Sequence, residues 1–160
     1  MRNSKANQTK MKMFRLYIFL LLFALNATTI QAQNVKFNHM ALVVSDLEKS
    51  IDFYSQALGF KLIDDPTGNP NIAWVQNDTG QQIHLLEADL SVIKLSKSVH
   101  MSFAVETLSP FIENLTRLAI YFEDWPGKKD EITIRQDGIR QIYLQDPNGY
   151  WIEINDDFFH

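Results

Sequence analysis

Imidazole and carboxylate side chains are the groups in this chain best suited to hold a metal ion, and few of them stand at patterned positions. The sequence contains four histidines. His39, His84 and His100 fall inside short apolar stretches, whereas His160 ends the chain. One acid, Glu153, falls in a stretch of the same kind, "YWIEIND". Neutral imidazoles with an ionised carboxylate suit Zn, Ni, Fe or Mn. One shared divalent ion would account for polar groups at positions where apolar residues otherwise serve. There is no cysteine, which excludes disulfides, thiolate metal sites and thiol nucleophiles.

The spacing of these four residues follows from an internal repeat. "NHMALVVSDL" (Asn38 to Leu47) returns as "VHMSFAVETL" (Val99 to Leu108), with His39 and His100 at an offset of 61. Near the end of each half the offset becomes 69, and Gly80, Ile83 and Leu85 meet Gly149, Ile152 and Ile154. His84 and Glu153 are then equivalent. The change from 61 to 69 places about eight extra residues in the second half, most simply in the loop from Pro126 to Gly138. That loop is polar and is a candidate lid.

Each half predicts the order β-α-β-β-β. Leu47, Ile51, Tyr54 and Leu58 recur at helical steps, with Ser45 and Glu48 as a capping box and Gly59 as the stop. In the second half Ser109-Pro110 is the expected helix start. The strands are "FNHMALVV", "FKLIDD", "IAWVQ" and "QQIHLLEA", then "VHMSFAV", "AIYFEDW", "IRQIYLQ" and "YWIEIND". "DPNG" (Asp146 to Gly149) is a tight turn. Strand parity puts Ile83, Leu85, Ile152 and Ile154 under the helices, and His84, Trp151 and Glu153 on the opposite face. His39, Ala41 and Val43, and likewise His100, Ser102 and Ala104, form small-residue faces that suit a cavity floor. By the same parity Trp74, Tyr143 and Trp151 line a pocket, with Arg135 and Arg140 as nearby cations.

The first residues address export. "MRNSKANQTKMKMFR" is basic, "LYIFLLLFAL" is a short apolar run, and "NATTIQAQ" follows. Residues 1–33 are therefore expected to be a signal peptide, leaving one domain over residues 34–160 with modules at about 35–90 and 97–158. Export would deliver the protein to the periplasm or the medium, with no stable membrane association after cleavage. The segment carries five of the 15 basic residues and none of the 19 acidic ones, so the remainder is near −9. That charge argues against nucleic-acid binding. A small molecule is the expected partner, and a homodimer would arise if the modules exchanged between chains.

The stretches "HMALVVSDLEKSIDFYSQALGFKL", "HMSFAVETLSPFIENL" and "IYLQDPNGYWIEI" resemble the vicinal oxygen chelate (VOC) superfamily, that of glyoxalase I, bleomycin resistance proteins and extradiol dioxygenases. The resemblance implies an α+β glyoxalase-like fold, with tandem βαβββ modules forming a curved mixed sheet and helices on its outer face. It implies metal ligands at His39, His100 and Glu153, while His84 stands where glyoxalase I would carry glutamate. The chemistry it implies is lyase or isomerase action of glyoxalase I type, through a metal-stabilised enediolate on a small oxygen-chelating substrate, with Glu153 moving the proton. Two alternatives stand beside it. One is an Fe(II)-dependent extradiol dioxygenase using His39, His100 and Glu153, against which the imidazole of His84 counts. The other is non-catalytic binding of a small molecule such as an antibiotic.

Overall fold

The computed structural model describes residues 10–18, 35–91 and 93–158. Residues 10–18 are helical (α1). The rest of the expected signal peptide, and His160, lie outside the described residues. No helix among the described residues is long and apolar enough to cross a membrane. The chain divides into two compact units, Met1–Phe37 and Asn38–His160, and the second carries every candidate site residue.

Two rounds of the same element order fill that second unit. The first is β1 (His39–Val44), α2 (Leu47–Leu58), β2 (Lys61–Ile63), β3 (Ile72–Gln76) and β4 (Gln82–Glu87). The second is β5 (His100–Ala104), α3 (Leu108–Arg117), β6 (Phe122–Glu123), β7 (Thr133–Ile134), β8 (Arg140–Gln145) and β9 (Trp151–Asn155). Backbone pairing forms two mixed sheets, one per module. Their orders are β1-β4-β3-β2 and β5-β9-β8-β6, with β7 added beside β8. In each module the first strand runs parallel to the last, a pairing that requires a crossover, and the helix supplies it.

The helices begin close to, but not at, the expected residues. The N-cap of α2 is Asp46, whose carboxylate accepts from the Lys49 backbone at 3.0 Å. Ser45, the expected cap, instead donates its backbone N–H and its hydroxyl to Asn148 Oδ1 at 2.9 and 3.1 Å. A long-range partner thus decides between two adjacent capping residues. Gly59 ends α2 at φ 71°, a left-handed conformation that glycine adopts without a Cβ clash. Helix α3 is capped at Thr107, ahead of the expected Ser109, so the two caps keep the 61-residue offset.

Alternation on the strands separates core from site. Ile83, Leu85, Ile152 and Ile154 are all buried, and each contributes about 1.5–3 kcal/mol through burial. They join Leu42, Val44, Tyr54, Leu108 and Leu115 in a single apolar cluster shared by both modules. The "DPNG" turn is more than a turn. Buried Asp146 accepts from Tyr54 Oη at 3.0 Å, and Asn148 donates to Ser50 Oγ at 3.0 Å, so the turn joins the second module to α2 of the first. The expected lid is pinned as well. Thr133 and Ile134 pair with β8, and Asp124 Oδ1 accepts from the backbone of Gly127 and Lys128.

Candidate active site

The repeat places its chemistry at one register in both modules. Across β1 and β4, His39 faces Gln82 and Ala41 faces His84. Across β5 and β9, His100 faces Trp151 and Ser102 faces Glu153. Each histidine therefore lies diagonal to the second group on the adjacent strand. Trp74 stands beside His84 on β3, as Tyr143 stands beside Glu153 on β8. The result is two equivalent half-sites, each on the face opposite the buried isoleucine and leucine rows.

In the second module the half-site is a carboxylate held by hydrogen bonds beside an imidazole. Glu153 is buried, and Oε2 lies 3.4 Å from His100 Nε2. Tyr143 Oη donates to Oε2 at 2.7 Å, while Ser102 Oγ and Asn155 Nδ2 donate to Oε1 at 3.1 and 2.8 Å. Gln141 Nε2 in turn donates to Tyr143 Oη. Burial alone would raise the Glu153 carboxyl, but these donors and the nearby His100 outweigh it and hold the group below the usual carboxylate range. The phenol of Tyr143 is pushed upward, first by burial and then by the carboxylate it serves, and remains protonated as a donor. His100 Nδ1 lies 2.8 Å from the carbonyl of Lys97, a contact that makes Nδ1 the protonated nitrogen. Nε2, on the other side of the ring, then faces Glu153 Oε2.

In the first module the half-site is a stack of rings. His84 lies between Trp74 and His39, with centroids 3.9 Å apart on both sides and interplanar angles of 7° and 11°. His39 Nδ1 meets Asn38 Oδ1 at 2.6 Å, and His84 Nε2 meets Gln82 Oε1 at 3.2 Å. Burial and the neighbouring His39 push the His84 imidazole below its ordinary value, against a smaller opposing pull from Asp65.

The four expected ligands thus meet as two pairs. Among the described residues, no three His, Asp or Glu side chains come close enough to hold one ion together. The donor chemistry fits a metal at His100 and Glu153, where one ring nitrogen lies 3.4 Å from a carboxylate and the far nitrogen is bonded to a carbonyl. It does not fit at His39 and His84 as they stand, because their rings are stacked on each other.

Of the expected pocket residues, Trp74 packs on His84, Tyr143 bonds Glu153, and Trp151 borders a groove of about 280 Å³ together with His100, Met40, Leu95 and Tyr150. Arg135 is engaged by acids: its guanidinium bonds Asp137 at 2.5 Å and lies 3.9 Å from Asp157. Arg140 pairs with Asp156 at 2.7 Å. Asn155, Gln141 and Lys97 join the second half-site without having been expected there. Asn155 is two residues beyond Glu153 and Gln141 two before Tyr143, so strand parity could have found both. Lys97 lies between the modules, where no periodicity marks it.

Comparison with known proteins agrees with this architecture. The family description "Glyoxalase/Bleomycin resistance protein/Dioxygenase superfamily" matches residues 36–154. An uncharacterised protein, YwbC, of Bacillus subtilis (strain 168) is 27% identical over 124 residues, covering 74% of this chain and 94% of its own. A lactoylglutathione lyase of Pseudomonas putida is 64% identical over only 28 residues, 18% of this chain and 16% of its own. Among solved structures, the genomically encoded fosfomycin resistance protein FosX of Listeria monocytogenes superposes with a TM-score of 0.63 at 19% identity, covering 76% of this chain and 91% of its own. That last likeness concerns the fold alone.

Proposed function

The chain belongs to the glyoxalase/bleomycin resistance protein/dioxygenase superfamily, and on that premise we propose that it is a metal-dependent lyase or isomerase of glyoxalase type acting on a small molecule with two neighbouring oxygens. One observation carries the reading: His100 Nε2 faces the Glu153 carboxylate across 3.4 Å. His100 and Glu153 would hold the ion, while His39 and His84, stacked on each other, stand at the equivalent positions of the other module. When bound, a divalent cation supplies Lewis-acid stabilisation of negative charge developing on the substrate oxygens.

The residues themselves define what else the site can do. Glu153 is kept ionised by three donors, which suits a metal ligand better than a strong base. It can accept a substrate proton only from a carbon already acidified by its neighbours. Tyr143 holds a proton 2.7 Å from that carboxylate and can share it with a developing oxyanion. Trp151 and Tyr150 give the adjoining groove an apolar wall, which favours a partly apolar substrate.

The test is elemental analysis of the purified protein after exposure to Zn, Ni, Fe and Mn, alongside His39→Ala, His84→Ala, His100→Ala and Glu153→Ala. Turnover of a 2-oxoaldehyde with a small thiol is assayed in parallel. The expected result is bound metal in the parent and its loss in His100→Ala and Glu153→Ala. Metal retained by all four variants, or taken up by none of the proteins, overturns the proposal.

The ring stack favours a second reading, that of a binding protein without chemistry. The outer rings of the stack, Trp74 and His39, could continue it with an aromatic ligand, which would leave His39 and His84 uncommitted to an ion. Ligand affinity unchanged by chelation would select it. We also propose that residues 1–33 direct export, on the strength of their basic start and apolar run. An intact N-terminus on protein recovered from producing cells would refute it.

A further inference from the structure

We infer that Lys97 is a positioning residue for the second half-site, setting the ring of His100 from the segment that links the two modules. The inference rests on the reading of that half-site as the reactive one, and it concerns a residue outside the expected ligand set. The Lys97 side chain is only 16% exposed. Its ammonium donates to Glu123 Oε1 at 2.7 Å, to the carbonyl of Asp124 at 2.5 Å and to the carbonyl of Trp125 at 3.0 Å. An ammonium has three N–H donors, so none is left for a substrate. The same group sits among three rings, 4.7 Å from the centre of Tyr143, 4.9 Å from Trp151 and 5.7 Å from Trp125.

These contacts reach His100 from two directions. The Lys97 carbonyl accepts from Nδ1 at 2.8 Å, which turns Nε2 toward Glu153. The ammonium fixes the backbone at Asp124 and Trp125, and Trp125 packs edge-on to His100 at 6.4 Å and to Tyr143 at 5.3 Å. Tyr143 meets His100 edge-on at 5.6 Å. Lys97 therefore sets both the protonated nitrogen and the plane of the imidazole. The first module is built otherwise, for His39 Nδ1 turns to the side chain of its own neighbour, Asn38.

The experiment compares the parent with Lys97→Met and Lys97→Arg in the full chain. Nitrogen-resolved NMR of the histidine rings, under mildly alkaline conditions, reports which nitrogen of His100 carries the proton. Nickel affinity is measured by titration calorimetry on the same samples. The parent is expected to hold the proton on Nδ1. Lys97→Met is expected to spread it over both nitrogens and to weaken nickel binding by about tenfold to a hundredfold, the usual effect of losing an outer-sphere partner. Lys97→Arg, which can still donate to the three oxygens, is expected to recover most of both. Should Lys97→Met not fold, Glu123→Gln weakens the same anchor and is read in the same way. A folded variant that keeps the parent's ring proton on Nδ1 overturns the inference. Absence of nickel binding by the parent would instead count against the proposed metal chemistry, while the NMR result still decides the role of Lys97.

Discussion

The two half-sites share a register and differ in what holds them. In the second module Glu153 collects donors from Tyr143, Ser102 and Asn155, and His100 is oriented by a backbone carbonyl. In the first, Trp74, His84 and His39 lie flat on one another, with few hydrogen bonds. A duplicated scaffold thus preserves positions, while residue type decides whether a position is held by directed bonds or by ring contact. The directed half is locked in geometry before any ligand arrives. The stacked half can change partner with little loss, because stacking contributes about 0.5–1.5 kcal/mol per pair.

The largest expected effect tests that asymmetry. Glu153→Ala leaves three donors without an acceptor and is expected to lower the unfolding free energy by about 3 kcal/mol in denaturant titrations. His84→Ala, at the equivalent position, is expected to cost about 1 kcal/mol. Equal losses would mean that the two halves are held alike. A smaller effect sharpens the same contrast on the neighbouring strands. Tyr143→Phe removes one donor and is expected to cost about 1 kcal/mol, whereas Trp74→Phe keeps a ring on His84 and should cost about half of that.

The smallest effect is in pH. Glu153 has a folded value below that of the unfolded chain, so its contribution is full above the usual carboxylate range and is lost as pH falls through the folded value. His84 is also lowered, so the unfolded chain takes up its proton first, and stability declines as pH drops below the ordinary histidine range. Thermal melts across acidic pH should therefore show two separate declines. Glu153→Gln should shrink the lower one, to which other lowered carboxyls such as Glu123 and Asp156 also contribute, and His84→Gln should remove the upper one. A single decline insensitive to both variants would contradict the assignment.

Much of this arrangement was legible in the sequence, because period and repeat are local signals. Two-residue alternation put His84 and Glu153 opposite the buried Ile83, Leu85, Ile152 and Ile154, and the 61-residue offset matched both helix starts. What was not legible depends on residues far apart in the chain. Ser45 and Asp46 are both good caps, and Asn148, 103 residues away, engages the first and leaves the second to α2. The spacing between the two pairs of candidate ligands is of the same kind. A repeat tells which positions are equivalent, but the distance between the halves is set by packing that no repeat encodes. Lys97 escaped because a linker has no period, although its donors and its carbonyl both serve the site.

The seam between the modules has a consequence for assembly. Its polar contacts include those from Ser45, Ser50 and Tyr54 on one side to Asp146 and Asn148 on the other, and Asn114 donating to the carbonyl of Gln56. None of them depends on a covalent path joining the two sides. The same bonds would close between the front half of one polypeptide and the back half of another. What favours self-closure is the high local concentration imposed by the short tether between β4 and β5. Stiffening or shortening that tether would shift the balance toward intertwined pairs without altering a single contact at the seam.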